Sequence, residues 1–262
     1  MEHMSLKLAI TRTINFIGLV VLLSVGTHAT DALNNGGLSF TVSTDKKEYI
    51  LGEPVKCTFD YKNLGKDPVR IFGGGVDTGA FDVMIAGPDN EFKEFYVGIW
   101  GLKVGRSLDV APNQTVSYSA IVLWHGAKDV SHLSDYAAKL ALEGIVATAY
   151  AFPAPGIYKI KGVSSTVREG TPIETEPIEI VVSGPVGEDL QVWNRIKDDR
   201  QIALLLQGGG FDVYKDSEAK PSIDKIEQII EQFPDSTYTQ YLRSNLEKYK
   251  EGVKARKAAY GF

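Results

Sequence analysis

The sequence predicts a mainly β protein: an antiparallel β-sandwich followed by a small α-helical C-terminal region. Three observations carry that expectation. Between residues 38 and 183, short β-branched and aromatic runs alternate apolar with polar residues, the period of strands with one buried and one wet face. Turn-forming glycine, proline and asparagine clusters separate those runs. After Ser183-Gly184-Pro185-Val186-Gly187 the apolar residues recur at helical spacing instead.

The 262 residues open with a segment of another kind. Lys7 and Arg12 precede an apolar run from Phe16 to Val25, and Thr27-His28-Ala29 offers small residues at positions −3 and −1 of a cleavage site. Residues 1–29 therefore read as a signal peptide. The apolar run is about half the roughly 20 residues that span a bilayer. The expectation is an exported protein, secreted or periplasmic, with no membrane span after signal removal.

The sandwich is expected over 34–183. Leu38, Phe40 and Val42 predict its first strand. Lys46-Lys47-Glu48 and Gly52-Glu53-Pro54 read as turns. Val55 to Tyr61 alternates cleanly, Asn63 to Pro68 is a loop, and Val69 to Phe72 resumes a strand. Phe81, Val83 and Ile85 alternate, and Gly87-Pro88-Asp89-Asn90 turns the chain towards a strand over Phe92–Trp100. Thr115–Trp124, Ile145–Phe152, Ile157–Val163 and Ile178–Val182 complete the set. Val130, Leu133, Tyr136, Ala137 and Leu140 break the pattern with helical spacing, so a helix inserted near 127–143 is expected to cover a sheet edge.

A helical tail is expected over 187–256. One helix is predicted from Leu190 through Leu206, stopped by Gly208-Gly209-Gly210. Phe211–Lys220 reads as a connection. Pro221-Ser222 opens a helix with Ile223, Ile226, Ile229, Ile230 and Phe233 on its stripe. Pro234-Asp235-Ser236 breaks it, and Tyr238, Tyr241, Leu242, Leu246 and Tyr249 mark the next. Lys250–Phe262 is expected to fray.

Composition excludes several functions. The formal charge is −5, and −6 once the signal is removed. An acidic chain with no basic block has little claim on nucleic acid. Cys57 is the only cysteine, so no intramolecular disulfide forms, and its place in an alternating strand predicts a buried structural thiol.

Candidate chemistry is sparse. Val76-Asp77-Thr78-Gly79-Ala80 carries the Asp-Thr-Gly of aspartic-protease loops, where two close carboxylates share one proton. No second such motif exists, and Gly73-Gly74-Gly75 precedes it where a hydrophobic strand belongs. Asp77 is thus the one catalytic candidate, an aspartic-type hydrolase the reading it would support, and a flexible loop with Asp77 in a turn the expected one. His125, Asp129, His132 and Asp135 have a spacing that shares one helical face and suits a metal. Gly126 argues against a helix starting so early, so solvated surface and no metal are expected. No cofactor is expected. Sandwich proteins bind through loops at their ends. Gly74, Asp77 and Thr78, with Trp100 in a second glycine-flanked loop, are therefore the expected binding residues. Asn113-Gln114-Thr115 is a glycosylation sequon, relevant only in a eukaryotic secretory pathway.

Two stretches carry resemblances. Gly52-Glu53-Pro54-Val55 with the strand ending at Asn63, Phe81-Asp82-Val83, Val110 to Thr115 leading to Trp124, and Pro155-Gly156-Ile157-Tyr158 resemble the intracellular proteinase inhibitor family over residues 38–163. That resemblance implies an Ig-like β-sandwich and inhibition of a protease by insertion of the 73–79 or 98–106 loop. This chain departs from the family at Asn113, where the family usually has glycine, in its 127–143 insertion and in its export signal. Tyr158 has a reading of its own: after Pro-Gly it can turn its hydroxyl onto backbone, as in a tyrosine corner. Phe233-Pro234-Asp235-Ser236-Thr237-Tyr238 resembles the hinge of a tetratricopeptide-like helical hairpin. One hairpin cannot bury its own face, so docking within the chain is expected. The expectation for function is an exported, non-enzymatic protein that binds another protein or an envelope component. A proteinase inhibitor is the alternative.

Overall fold

Strict alternation makes the spine of the molecule. In β3 (Val55–Asn63) every second residue is buried, from Val55 through Cys57, Phe59 and Tyr61 to Asn63, as a strand with one core face requires. β3 pairs antiparallel with β1 (Leu38–Thr44) on one side and β8 (Thr115–Val122) on the other. The computed structural model describes residues 37–95, 106–124, 150–164, 172–211, 213 and 215–260. These all fall within one compact unit, Asp31–Phe262.

A second sheet runs in the order β2 (Glu48–Ile50), β11 (Ile178–Ser183), β9 (Gly156–Ser164), β5 (Asp82–Ala86), β6 (Phe92–Phe95), with β10 (Ile173–Glu174) also on β9. Its pairings are antiparallel except β2 on β11, which is parallel. A two-stranded pair, β4 (Val69–Gly73) with β7 (Arg106–Val110), adds Ile71 and Val110 to the same core. The sheets meet over Phe40, Phe59, Tyr61, Phe81, Ile160 and Ile180. Phe40 stacks on Tyr61 at 4.3 Å between ring centroids, and Phe59 lies 4.5 Å from Phe81. A Cβ on Gly162 would come within 2.8 Å of the Phe59 ring, so glycine is what lets β9 approach β3 that closely. The result is the expected mainly β class: a β-sandwich with C-terminal helices.

Four α-helices follow among the described residues: α1 (Gly187–Ile196), α2 (Arg200–Gly208), α3 (Lys220–Gln232) and α4 (Thr237–Tyr260). They enclose a second core, built from Val192, Ile196, Leu205, Ile226, Ile229, Leu242 and Leu246, which takes in Leu123 and Trp124 at the end of the sandwich. The helical hairpin therefore buries its face within the chain, as expected.

Several local expectations are corrected. The helix read over Leu190–Leu206 is two helices, because Asp199 caps α2: its side chain accepts from the Ile202 amide at 3.2 Å and pairs with Lys225 at 2.7 Å. Aspartate is a far better cap than helix interior. The C-terminus does not fray at Lys250. α4 continues to Tyr260, with Val253 packed on the second core and Arg256 bonded to Asp216 at 3.0 Å. Glu48, read as the end of a turn, is the first residue of β2. β7 and β10 were not expected. Four of the five β7 residues are exposed, so the strand shows no alternation. Arg70 and Asp109 staple it to β4 with two hydrogen bonds of 2.7 and 3.0 Å. The signal segment, residues 96–100 of the expected Phe92–Trp100 strand, the 127–143 insertion and residues 145–149 lie outside the described residues.

Two smaller expectations hold. Cys57 is buried and free, and burial pushes its thiol up to about 12. Tyr158 donates its hydroxyl to the Ala154 carbonyl at 2.7 Å.

Candidate functional site

The connection from β4 to β5 holds three of the four expected binding residues, and it places Asp77 in a turn, as expected. Val76–Thr78 forms one turn of 3-10 helix, with Asp77 at its centre. The Gly75 carbonyl organises it. That oxygen accepts from the Thr78 amide at 3.0 Å, the Thr78 hydroxyl at 2.7 Å and the Ala80 amide at 3.4 Å. Gly79 closes the turn in the left-handed region, its amide on the Val76 carbonyl at 3.2 Å.

Both ends of the turn are anchored. Ala80 and Phe81 are buried in the sandwich core, Val76 packs against it, and Ser164 donates to the Ala80 carbonyl at 3.2 Å. At the other end a Cβ on Gly73 would sit 3.0 Å from both the Arg106 carbonyl and the Tyr118 hydroxyl. Gly74 has φ +150°, and a Cβ there would collide with the Thr78 hydroxyl. The glycines thus permit the close approaches of this conformation. Gly79 stands exposed, and Gly74, Gly75 and Thr78 are half-buried. Such a surface pays little conformational entropy on binding.

A second cluster joins the sandwich to the helices, and the sequence reading missed it. Glu53 is 3 % exposed. Its Oε1 pairs with Lys46 and accepts from the Tyr241 hydroxyl at 2.8 Å, and its Oε2 accepts from the Ile50 amide at 3.0 Å. The Lys46 ammonium lies 5.5 Å from the Tyr49 ring centroid and 5.8 Å from that of Tyr241. Burial lowers the Lys46 pKa, but its hydrogen bonds to Glu53 and Tyr241 outweigh this and hold it above the usual lysine value. A carboxylate with both oxygens occupied is a fastener, not a free base.

Aromatic rings continue that joint. Tyr238 donates to the Leu51 carbonyl. Trp193 stacks on Tyr238 at 6.2 Å and meets Tyr150 edge-on at 4.9 Å, and Tyr150 meets Trp124 at 4.8 Å. Gly52, at φ +80°, makes room for the indole: a Cβ would lie 2.7 Å from Trp193 Cε3 and closer still to Cζ3. Asp189 of α1 caps α4 from outside, accepting from the Thr237 amide and the Ser236 hydroxyl at 2.7 Å each and the Thr237 hydroxyl at 3.0 Å. A carboxylate at a helix N-terminus also complements the helix dipole. The signal for the joint was present in the tyrosines. Tyr238 and Tyr241 sit on an apolar stripe, and a buried hydroxyl needs a polar partner.

Trp100 and the four metal candidates, His125, Asp129, His132 and Asp135, lie outside the described residues. Among the described residues no group of three or more His, Cys, Asp or Glu is placed to hold a metal. No described helix is long and apolar enough to cross a membrane.

No family profile matches the chain, and no curated protein matches it. Solved structures align weakly. Spo0M, a sporulation control protein from Bacillus subtilis, is 14% identical over 61% of this chain and 54% of that one, with a TM-score of 0.29. A β-glucosidase from Listeria innocua in complex with glucose is 13% identical over 57% of this chain and 17% of the enzyme, with a TM-score of 0.29. The CARDB domain of PF1109 from Pyrococcus furiosus, in complex with di-metal ions, is 11% identical over 58% of this chain and 97% of that domain, with a TM-score of 0.28. The chain therefore spans about half the length of the sporulation protein it aligns with. At these scores the likenesses carry no argument for function.

Proposed function

We propose that this chain is an exported, non-enzymatic binding protein. It engages another protein or an envelope component through the Gly73–Gly79 turn. The observation that carries this reading is the Gly75 carbonyl with its three donors, which fixes a glycine-rich turn on a rigid sandwich. A preorganised turn loses little freedom on docking, whereas a loose glycine run would lose much. The helical tail supports the reading from the other side. Tyr238 and Tyr241 are committed to the sandwich, so the aromatic face of the hairpin is already occupied. Export rests on the first 29 residues.

The test is site-specific photo-crosslinking in cells. A crosslinking amino acid at Asp77, in the turn, should yield a discrete adduct, and the same group at exposed Lys62 on β3 should not. Equal adducts at both positions, or none at Asp77, would overturn the assignment. Stoichiometric inhibition of a protease, lost when the turn is altered, would move the reading to the inhibitor that the resemblance implies. Peptide cleavage at acid pH abolished by Asp77→Asn would move it to the hydrolase. Mass spectrometry of the mature N-terminus should find Thr30; Met1 or Met4 would refute export with a cleaved signal.

A further inference from the structure

The outer face of the larger sheet carries two apolar residues that stay in solvent. Ile157 on β9 is 52 % exposed and Val181 on β11 is 42 % exposed, and the two stand directly opposite each other across the strand pair. Exposed apolar residues are ordinary when scattered singly. A cross-strand pair is a small continuous patch, because opposite side chains on one face lie within about 5 Å. Exposed Glu48 and Glu179 and half-buried Lys159 stand around it.

The charges beside the patch are not matched with each other. Glu179 lies opposite Lys159 in the next row of the same face, a position where opposite charges commonly pair. Lys159 Nζ instead donates to Asn90 Oδ1 at 2.9 Å, a neutral partner, and Glu179 has no ion pair among the described residues. Lys161, one row further on, shows the contrast: it pairs with Glu174 of β10.

This arrangement is complementary to itself. A two-fold axis along the strands, midway between β9 and β11 and in the plane of contact, lays each β11 over the β9 of a second copy. Val181 then meets Ile157 and Glu179 meets Lys159, each contact made twice, as an isologous interface requires. Sheets packed face to face in this way keep their strands roughly aligned.

We propose that this face binds a second copy of the chain. Ile157 and Val181 lie at the centre of the two-fold contact, with a Glu179–Lys159 pair on each side of the axis. A patch built around two apolar residues buries less than a standard interface, so the dimer is weak, with a Kd of about 10–100 μM. The proposal is independent of the Gly73–Gly79 turn.

Sedimentation velocity over a concentration series is the measurement, on the chain from Thr30 onward, which keeps the whole compact unit Asp31–Phe262. A reversible monomer–dimer equilibrium is expected. Lys159→Glu and Glu179→Lys each turn both pairs repulsive and should weaken dimerisation about tenfold or more. Mixing the two variants makes both pairs attractive again, so the mixture should dimerise like the unaltered chain. That rescue separates a contact between copies from any effect within one. Ile157→Ser should weaken the dimer about tenfold and leave the thermal unfolding of the chain unchanged, because the residue is exposed. A chain that stays monomeric up to about 1 mM, a mixture that stays monomeric, or a dimer indifferent to both charge reversals overturns the proposal.

Discussion

Gly52→Ala tests the joint between sandwich and helices most sharply. Two costs add there. The first is backbone: φ is +80°, and an L-residue in that region costs about 1–2 kcal/mol. The second is steric. The new Cβ would lie 2.7 Å from Trp193 Cε3, so the indole must move and lose its contacts with Tyr150 and Tyr238. Overpacking of that kind costs about 1–3 kcal/mol. The sum, about 2–5 kcal/mol, lowers Tm by roughly 5–15 °C in a domain of this size. Gly209→Ala is the matched control. Its φ is +71°, yet a Cβ there meets no described residue within 4 Å, so the backbone cost of about 1–2 kcal/mol is the one expected. Thermal unfolding followed by far-UV circular dichroism and tryptophan fluorescence reads both. The double variant Gly52→Ala, Trp193→Ala should lose less than the two single losses combined, because the clash vanishes with the indole. A Gly52→Ala protein that melts with its Gly209→Ala counterpart would refute the packing of Trp193 on Gly52.

Asp189→Ala removes the outside cap of α4 and its three hydrogen bonds. A loss of about 1–3 kcal/mol in a urea titration is expected, and a change under 0.5 kcal/mol would contradict the capping role. Cys57 should resist thiol reagents at pH 8 in the native protein, since its pKa is pushed up to about 12, and react fully in guanidinium; native labelling at the unfolded rate would refute burial. Lys46 has a folded pKa above its ordinary 10.5, so its contribution to stability is present below that pH and lost as pH rises through the higher folded value. Tyr238 and Tyr241 are raised by burial and act with the same sign. Alkali above about pH 10 should therefore weaken the joint, and Lys46→Met should reduce that alkaline loss; an identical pH profile in the variant would contradict it.

The strands were legible where one face is buried. β1, β3, β5, β8, β9 and β11 follow a period of two because each turns one side to the core. β2 and β7 were not legible, since pairing rather than burial of an apolar face makes them strands. Helix existence was legible from the stripes, but the break at Asp199 lies in a run whose apolar residues keep helical spacing. There a capping carboxylate outweighs the pattern. The Gly73–Gly79 connection was legible with its turn at Asp77, but not the hydrogen bond from the Thr78 hydroxyl to the Gly75 carbonyl, which no sequence pattern announces. The joint was least legible. Its parts, Lys46, Glu53, Trp193 and Tyr241, are scattered across the sequence, and each alone reads as part of a turn or of an apolar helix stripe.

Sandwich and helices are fastened to each other at residues 46–53, through Glu53 on Tyr241 and the Leu51 carbonyl on Tyr238. Native-state hydrogen exchange tests that fastening directly. The slowest amides of β3, such as Phe59 and Tyr61, and of α4, such as Leu242 and Leu246, should open with the same free energy and the same denaturant dependence. Opening of α4 at a clearly lower free energy than β3 would show that the helices detach on their own and would contradict the account.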